Sequence, residues 1–381
     1  MPKNSLNDYE EYQDASDRRP YKRGLSMNSK WGIALVIELL IIIALIIGIG
    51  RTYVHSKYNK LQVNDLKQED LHVNEGVNTK MNNYTNIALF GVDARDDSLG
   101  KGNRSDAIMI ASINNSTKEV RIISVYRDTL LEITKNDGST VTTKINAAYA
   151  YGGPELAVQT LNKNLDLNIS EYVTVNWEGL TRAIDMLGGV TVHVEENELE
   201  TLNGVLAEQI SVNGIASDGV YTTGDVTLNG AQATAYSRIR STDQGDITRT
   251  ERQREVLSAM IAKAKQSDVG TLNKMIDEIF PYIGTSITED QMYTLVTGLM
   301  QYQLGETQGF PFKFDAYNNS AKGACLAPVD LNENVKTLQL FLFDTADYQP
   351  TSNVQRISAE ITSETGYSSA GPIPVPEKTE E

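Results

Sequence analysis

Eleven arginines follow Arg51, and ten of them lie between Arg95 and Arg254, five packed into Arg238–Arg254. Arg238 and Arg240 are two apart, so on an extended strand both would point to one face. Arg249 and Gln253 are four apart and share one face of the helix that follows, near an N-terminal end whose free backbone N–H groups favour an anion. Arg127 closes an expected strand in Ser-Val-Tyr-Arg-Asp-Thr (124–129). Guanidinium forks match phosphate oxygens, so a phosphate-binding pocket is the chemistry this set suggests. Any single arginine is better explained by pairing with surface carboxylates; the clustering is not.

Asp93 ends one expected strand and Asp106 opens the next, so pairing of these strands would bring both carboxylates to one end of a sheet. Two hard oxygen ligands suit Mg²⁺, which leaves its other positions to water and phosphate. Alone, such a pair is better read as capping turns. With arginines, it describes a site that holds a diphosphate and stabilises its departure. Other chemistries lack partners. Cys325 is the only cysteine, and His193 alternates with Val192 and Val194 as a surface strand residue would. His193 is also the only histidine after residue 86, so cysteine nucleophiles, three-histidine zinc sites and Ser-His-Asp triads have too few partners to form.

The elements that must position these residues can be read in order. Strands are expected at Asn86–Asp93, Ala107–Ile113, Val120–Val125, Val190–Val194 and Phe310–Phe314. Helices are expected at Gly153–Leu165, Trp177–Leu187, Thr250–Gln266, Leu272–Phe280, Glu289–Tyr302 and Leu331–Phe341. This mixture predicts an α/β (α+β) domain in three layers, α-β-α, around a central mixed sheet.

Residues 31–50 are almost wholly apolar and long enough for a helix to cross a hydrocarbon core of about 30 Å. Arg18, Arg19, Lys22, Arg23 and Lys30 precede that run, which puts the N-terminus in the cytoplasm and everything after Arg51 outside the cell. Glu38 within it costs about 2.5–3.5 kcal/mol on insertion scales. The residues after position 51 carry 27 basic against 44 acidic side chains, a net −17, which argues against nucleic acid as a partner. The expected organisation is a disordered cytoplasmic tail (1–30), a single transmembrane helix (31–50), a stalk (51–85), the main domain (86–265), a helical extension (266–345) and a flexible tail (346–381).

Eight short segments, in order over about Asn86–Lys265, resemble the LytR-CpsA-Psr family of cell-wall glycopolymer transferases. They are Gly91-Val-Asp93-Ala-Arg95, Arg104-Ser-Asp106, Ser124-Val-Tyr-Arg127-Asp128-Thr129, Lys144-Ile-Asn146-Ala-Ala-Tyr149, Leu187-Gly-Gly-Val190, Leu228-Asn-Gly230-Ala-Gln-Ala, Tyr236-Ser-Arg238-Ile-Arg240 and Asp246-Ile-Thr-Arg249-Thr-Glu-Arg252-Gln253-Arg254. The resemblance implies transfer of an anionic glycopolymer, such as a teichoic acid or capsule, from a polyprenyl-diphosphate lipid to a peptidoglycan hydroxyl. It also implies a membrane anchor with the catalytic domain outside. Carried across, Asp93 and Asp106 would hold Mg²⁺; Arg127, Asp128, Arg238 and Arg240 would be catalytic; and Arg104, Lys144, Arg249 and Gln253 would bind the diphosphate. One position departs from the family pattern: Tyr126 stands where proline usually precedes the motif arginine. Two other readings use the same residues, a diphosphatase that admits water as acceptor and a non-catalytic membrane-tethered regulator.

Overall fold

Alternating apolar side chains in β2 (Tyr84–Val92) set the centre of the protein: Ala88, Phe90 and Val92 face one core, Ile87 and Leu89 the other. In this computed structural model the described residues are 50–77, 79–94, 99–214, 216–240, 245–369 and 371–376. The chain divides into two units, 1–52 and 53–381. The expected tail and membrane span lie outside the described residues except for Gly50, and no helix among those described is long and apolar enough to cross a membrane. Residues 50–58 form the described part of a first helix, α1.

A seven-stranded mixed sheet runs in the order β1 (Gln62–Val63), β10 (Ile283–Thr285), β7 (Glu171–Asn176), β2, β3 (Ser105–Asn114), β4 (Glu119–Val125), β11 (Gln303–Phe310). β2 pairs parallel with β7 and antiparallel with β3; β4 is antiparallel to β3 and parallel to β11. Three two-stranded ribbons surround it: β5 (Leu130–Thr134) with β6 (Thr140–Lys144), β8 (Val190–Val194) with β9 (Gly224–Leu228), and β12 (Phe314–Asn319) with β13 (Gly323–Pro328).

One sheet face is covered by α2 (Asn146–Leu165), α9 (Leu331–Phe343) and α10 (Ser352–Thr365), which supply Leu156, Leu161, Leu338, Leu342 and Ile357 to the largest core. Within α2, Gly153 at φ +71° breaks the helix, and Pro154 begins the next stretch, where its fixed φ suits a first turn. The opposite face receives Met292 and Leu295 of α8 (Glu289–Gly298) and Leu257 of α6 (Asp246–Gln266). The domain is thus a mixed α/β fold with helices on both faces of its sheet. A second core lies between β8–β9 and the helices α3 (Trp177–Met186), α4 (Leu199–Asn213) and α5 (Gly230–Tyr236), with Val256 of α6 joining it. α7 (Val269–Ile279) links α6 to β10.

Several boundaries differ from expectation. The stalk residues build the domain: β1 extends the main sheet, and Leu61, Leu71 and Met81 are buried. The segment after 265 supplies β10 and β11, two strands of that sheet, so it is no helical appendage. Within the expected flexible tail, α10 buries Val354, Ile357 and Ile361. The strand expected over Phe310–Phe314 is split: Phe310 ends β11, Phe314 opens β12, and Pro311, with no N–H to give a ladder, lies between.

Candidate active site

The C-terminal ends of β2, β4, β7 and β11 and the start of β3 share one edge of the sheet. Val92 lies opposite both Ser105 of β3 and Asn176 of β7. Asp93, Asp106, Arg127 and Trp177 are therefore delivered together, outside the carboxyl ends of parallel strands, where α/β proteins place their ligands. Asn176 caps α3, its side chain accepting from the Gly179 N–H, which turns the chain away sharply at this edge.

Arg127 is the hub. Its Nη1 donates to Asp106 Oδ1 at 2.6 Å, and its Nε donates to Asp246 Oδ2 at 2.8 Å and stands 3.6 Å from Asp128 Oδ2. Lys144 Nζ, at the end of β6, lies 3.0 Å from Asp128 Oδ1. Arg249 Nη1 lies 3.3 Å from Asp246 Oδ1, its Nη2 donates to the Asp106 carbonyl at 3.3 Å, and Arg240 Nη2 is 3.9 Å from Asp106 Oδ2. Cations and carboxylates alternate along Lys144, Asp128, Arg127, Asp246 and Arg249, drawn from the turn after β4, the end of β6 and the start of α6.

Burial works against the Arg127 guanidinium, but Asp246 and Asp106 outweigh it and raise its pKa. Burial likewise opposes ionisation of Asp246, yet Arg249 and Arg127 hold its carboxyl below the usual range. Arg249 is only 2 % exposed; burial, with Arg127 beside it, pushes it down to about 10, so it stays charged at neutral pH. Its Nε and the Gln253 Oε1 are buried and, among the described residues, have no hydrogen-bond partner, while Gln253 Nε2 donates to the Ser237 carbonyl at 3.4 Å. An unsatisfied buried donor beside guanidinium groups is a position prepared for an anion.

Arg249 and Gln253 do share one buried face of α6. Arg238 and Arg240 do not sit on a strand: they lie in the turn after α5, where buried Ile239 between them leaves both outward. Arg238 packs over the Trp177 ring at 5.8 Å. Asp93 and Arg104 are exposed at the same sheet edge and, among the described residues, stand outside the ion-pair chain. His193 is exposed and pairs with Asp225 at 2.9 Å, and Cys325 is buried. Among the described residues no group of three or more His, Cys, Asp or Glu forms a metal cluster. Sequence reasoning left Asp246 without a role; its one signal was the three-residue spacing to Arg249 at a helix start. Trp177 carried none.

The LytR_cpsA_psr family model matches residues 50–327 of the chain. The protein named "Polyisoprenyl-teichoic acid--peptidoglycan teichoic acid transferase TagU" from Oceanobacillus iheyensis is 32% identical over 297 residues, covering 74% of this chain and 84% of that protein. Its namesake from Bacillus cereus is 33% identical over 260 residues, 66% of this chain and 78% of the relative. Among solved structures, TagT bound to LI-WTA superposes with a TM-score of 0.53 at 22% identity, covering 80% of this chain and 99% of that one. That likeness is one of fold.

Proposed function

The chain belongs to the LytR_cpsA_psr family, and from that premise we propose that it transfers an anionic glycopolymer, with its proximal phosphate, from a polyprenyl-diphosphate carrier to a peptidoglycan hydroxyl. The names of the two TagU relatives support the reaction class, with teichoic acid as the glycopolymer. The observation that carries the reading is Arg127, held at the sheet edge between Asp106 and Asp246 with Arg249, Arg240 and Lys144 around it.

In this reading the acceptor oxygen attacks the phosphorus that bears the glycan. The bond from that phosphorus to the bridging oxygen breaks, and polyprenyl phosphate departs with the electron pair. Arg127, Arg240 and Arg249 neutralise the oxygens on which charge develops, and Arg238, Arg104, Lys144 and Gln253 orient the diphosphate. Asp128, whose Oδ1 lies 3.0 Å from the Lys144 ammonium, takes the hydroxyl proton. Asp93 and Asp106 suit Mg²⁺: both stand at the ends of paired strands, and two carboxylates are a common share of that ion's ligands. When bound, Mg²⁺ would supply further positive charge to the diphosphate. The apolar run 31–50 anchors the chain, with the domain on the outer face where lipid-linked donor and wall acceptor meet.

The test is product analysis. Full chain in detergent is incubated with Mg²⁺, a polyprenyl-diphosphate saccharide and peptidoglycan oligomers. Saccharide joined to peptidoglycan through a phosphodiester supports the proposal. Free phosphorylated saccharide alone would assign hydrolysis instead, and intact donor under all acceptors would leave a non-catalytic regulator.

A further inference from the structure

We propose that Tyr126 is a positioning residue for Arg127, acting through its own main-chain N–H. The inference rests on the role given to Arg127 above and concerns what holds that residue in place. β4 ends at Val125, yet the ladder to β11 continues one residue further: the Tyr126 N–H donates to the Phe310 carbonyl at 2.9 Å. Proline, the family's usual residue here, has no N–H and could not make this bond. On the other side of Arg127, the Leu326 N–H of β13 donates to the Asp128 carbonyl at 2.9 Å. Arg127 is thus bracketed by two main-chain bonds to the C-terminal segment 303–328, the part of the chain to which the sequence assigned no role.

The Tyr126 ring reinforces the bracket. It is buried and meets Phe314 of β12 edge-on, with centroids 5.6 Å apart and planes at 74°. Its hydroxyl lies over Gly309, where an added Cβ would come within 2.1 Å of Oη. Glycine at 309 is therefore what lets a tyrosine occupy 126. Three further main-chain bonds close the turn: the Thr129 N–H donates to the Tyr126 carbonyl at 2.9 Å, the Asn146 N–H to the Arg127 carbonyl at 3.1 Å, and the Ile145 N–H to the Thr129 carbonyl at 2.9 Å. A guanidinium has to be aimed to within a fraction of an ångström to serve a transition state, and a turn fixed from both flanks does this without substrate.

The experiment compares Tyr126→Pro, Tyr126→Phe and Gly309→Ala in the full chain, reading affinity for inorganic diphosphate with Mg²⁺ by calorimetry, backbone hydrogen exchange over 126–129, and the transfer rate. Tyr126→Pro is expected to weaken diphosphate binding about tenfold, raise exchange in the turn and lower kcat in proportion, because one main-chain bond is lost next to Arg127. Tyr126→Phe, which keeps the N–H and the ring, restores all three. Gly309→Ala drives the Tyr126 ring, and with it the main chain at 126, away from β11; unchanged affinity and exchange in this variant would overturn the proposal should Tyr126→Pro not fold. Wild-type affinity in Tyr126→Pro, or an equal loss in Tyr126→Phe, would overturn the proposal. A wild type that binds diphosphate but transfers nothing would sink the transferase reading while the binding comparison still decides the role of Tyr126. A wild type that binds no diphosphate would remove both.

Discussion

Arg127 and Asp246 lie 119 positions apart in the chain and are joined by a 2.8 Å hydrogen bond from Nε to Oδ2. The bond ties the end of β4 to the first turn of α6, and the other Asp246 oxygen is shared with Arg249 at 3.3 Å. Asp246 therefore stands between two guanidinium groups much as a phosphate would. Asp246→Ala leaves the buried Arg249 and the half-buried Arg127 facing one another without their common anion. Transfer is expected to fall about tenfold, with a loss of about 2 kcal/mol in stability; steady-state rates and thermal melts measure both. Wild-type values in each would show that the arginines are held by other means.

The fold is tied together at a buried carboxylate elsewhere. Glu132 on β5 accepts from Arg356 of α10 at 2.8 and 2.9 Å and pairs with Lys163 of α2 at 2.8 Å. Its hydrogen bonds to Arg356, with burial opposing, lower its pKa from the ordinary 4.5 to about 2. A folded-state value below the unfolded one gives stability that is complete above pH 4.5 and is lost as pH falls toward about 2. Glu132→Gln should cost about 2 kcal/mol at pH 7, less than a fully buried pair because Arg356 is partly exposed. Denaturant melts at several pH values check it: the gap between variant and wild type closes toward pH 2, and a gap constant with pH would refute the assignment.

Gly230 opens α5 against α3, and a Cβ there would fall 2.1 Å from the Thr181 carbonyl oxygen. Backbone cannot yield as a side-chain tip can, so Gly230→Ala is expected to cost about 3 kcal/mol. Because α5 leads directly into Arg238 and Arg240, transfer should fall with the melting temperature. A melt unchanged within error would mean the two helices can part without penalty.

The metal assignment gives its own expectation. Excess chelator should abolish transfer and Mg²⁺ restore it, while Asp93→Asn raises the Mg²⁺ concentration needed for half-maximal rate about tenfold, since one hard anionic ligand is lost. A full rate in chelator would remove Asp93 and Asp106 from a metal role.

Strands with clean alternation were legible in the sequence: β8, with Val190, Val192 and Val194 inward, is found where expected. β7 is not, because its buried side chains other than Tyr172 are polar. Thr174 is fully buried and meets the Tyr149 hydroxyl at 3.0 Å, and Glu171 accepts from Ser286 at 2.7 Å. Polar residues satisfied at long range look like loop. β10, three residues long, offers no period to detect. Residues 51–85 read as a stalk because the buried Leu61, Leu71 and Met81 are isolated in the sequence, yet Leu71 and Met81 join a core supplied from elsewhere. At the site, residue type revealed the arginines and aspartates, and antiparallel pairing of β2 with β3 puts Asp93 and Asp106 at one end as strand order suggested. Asp246 stayed hidden because an acid in a helix's first turn ordinarily needs no partner beyond the helix itself.

The central claim is that Arg127 neutralises the charge of a departing polyprenyl phosphate. The most direct test is the rate of glycan transfer to peptidoglycan by wild type and Arg127→Ala side by side, with melts confirming that both are folded. Arg127→Ala is expected to lose about a thousandfold or more, as when a charge-stabilising donor is removed from a transition state. A folded Arg127→Ala protein that keeps more than about a tenth of the wild-type rate would contradict it.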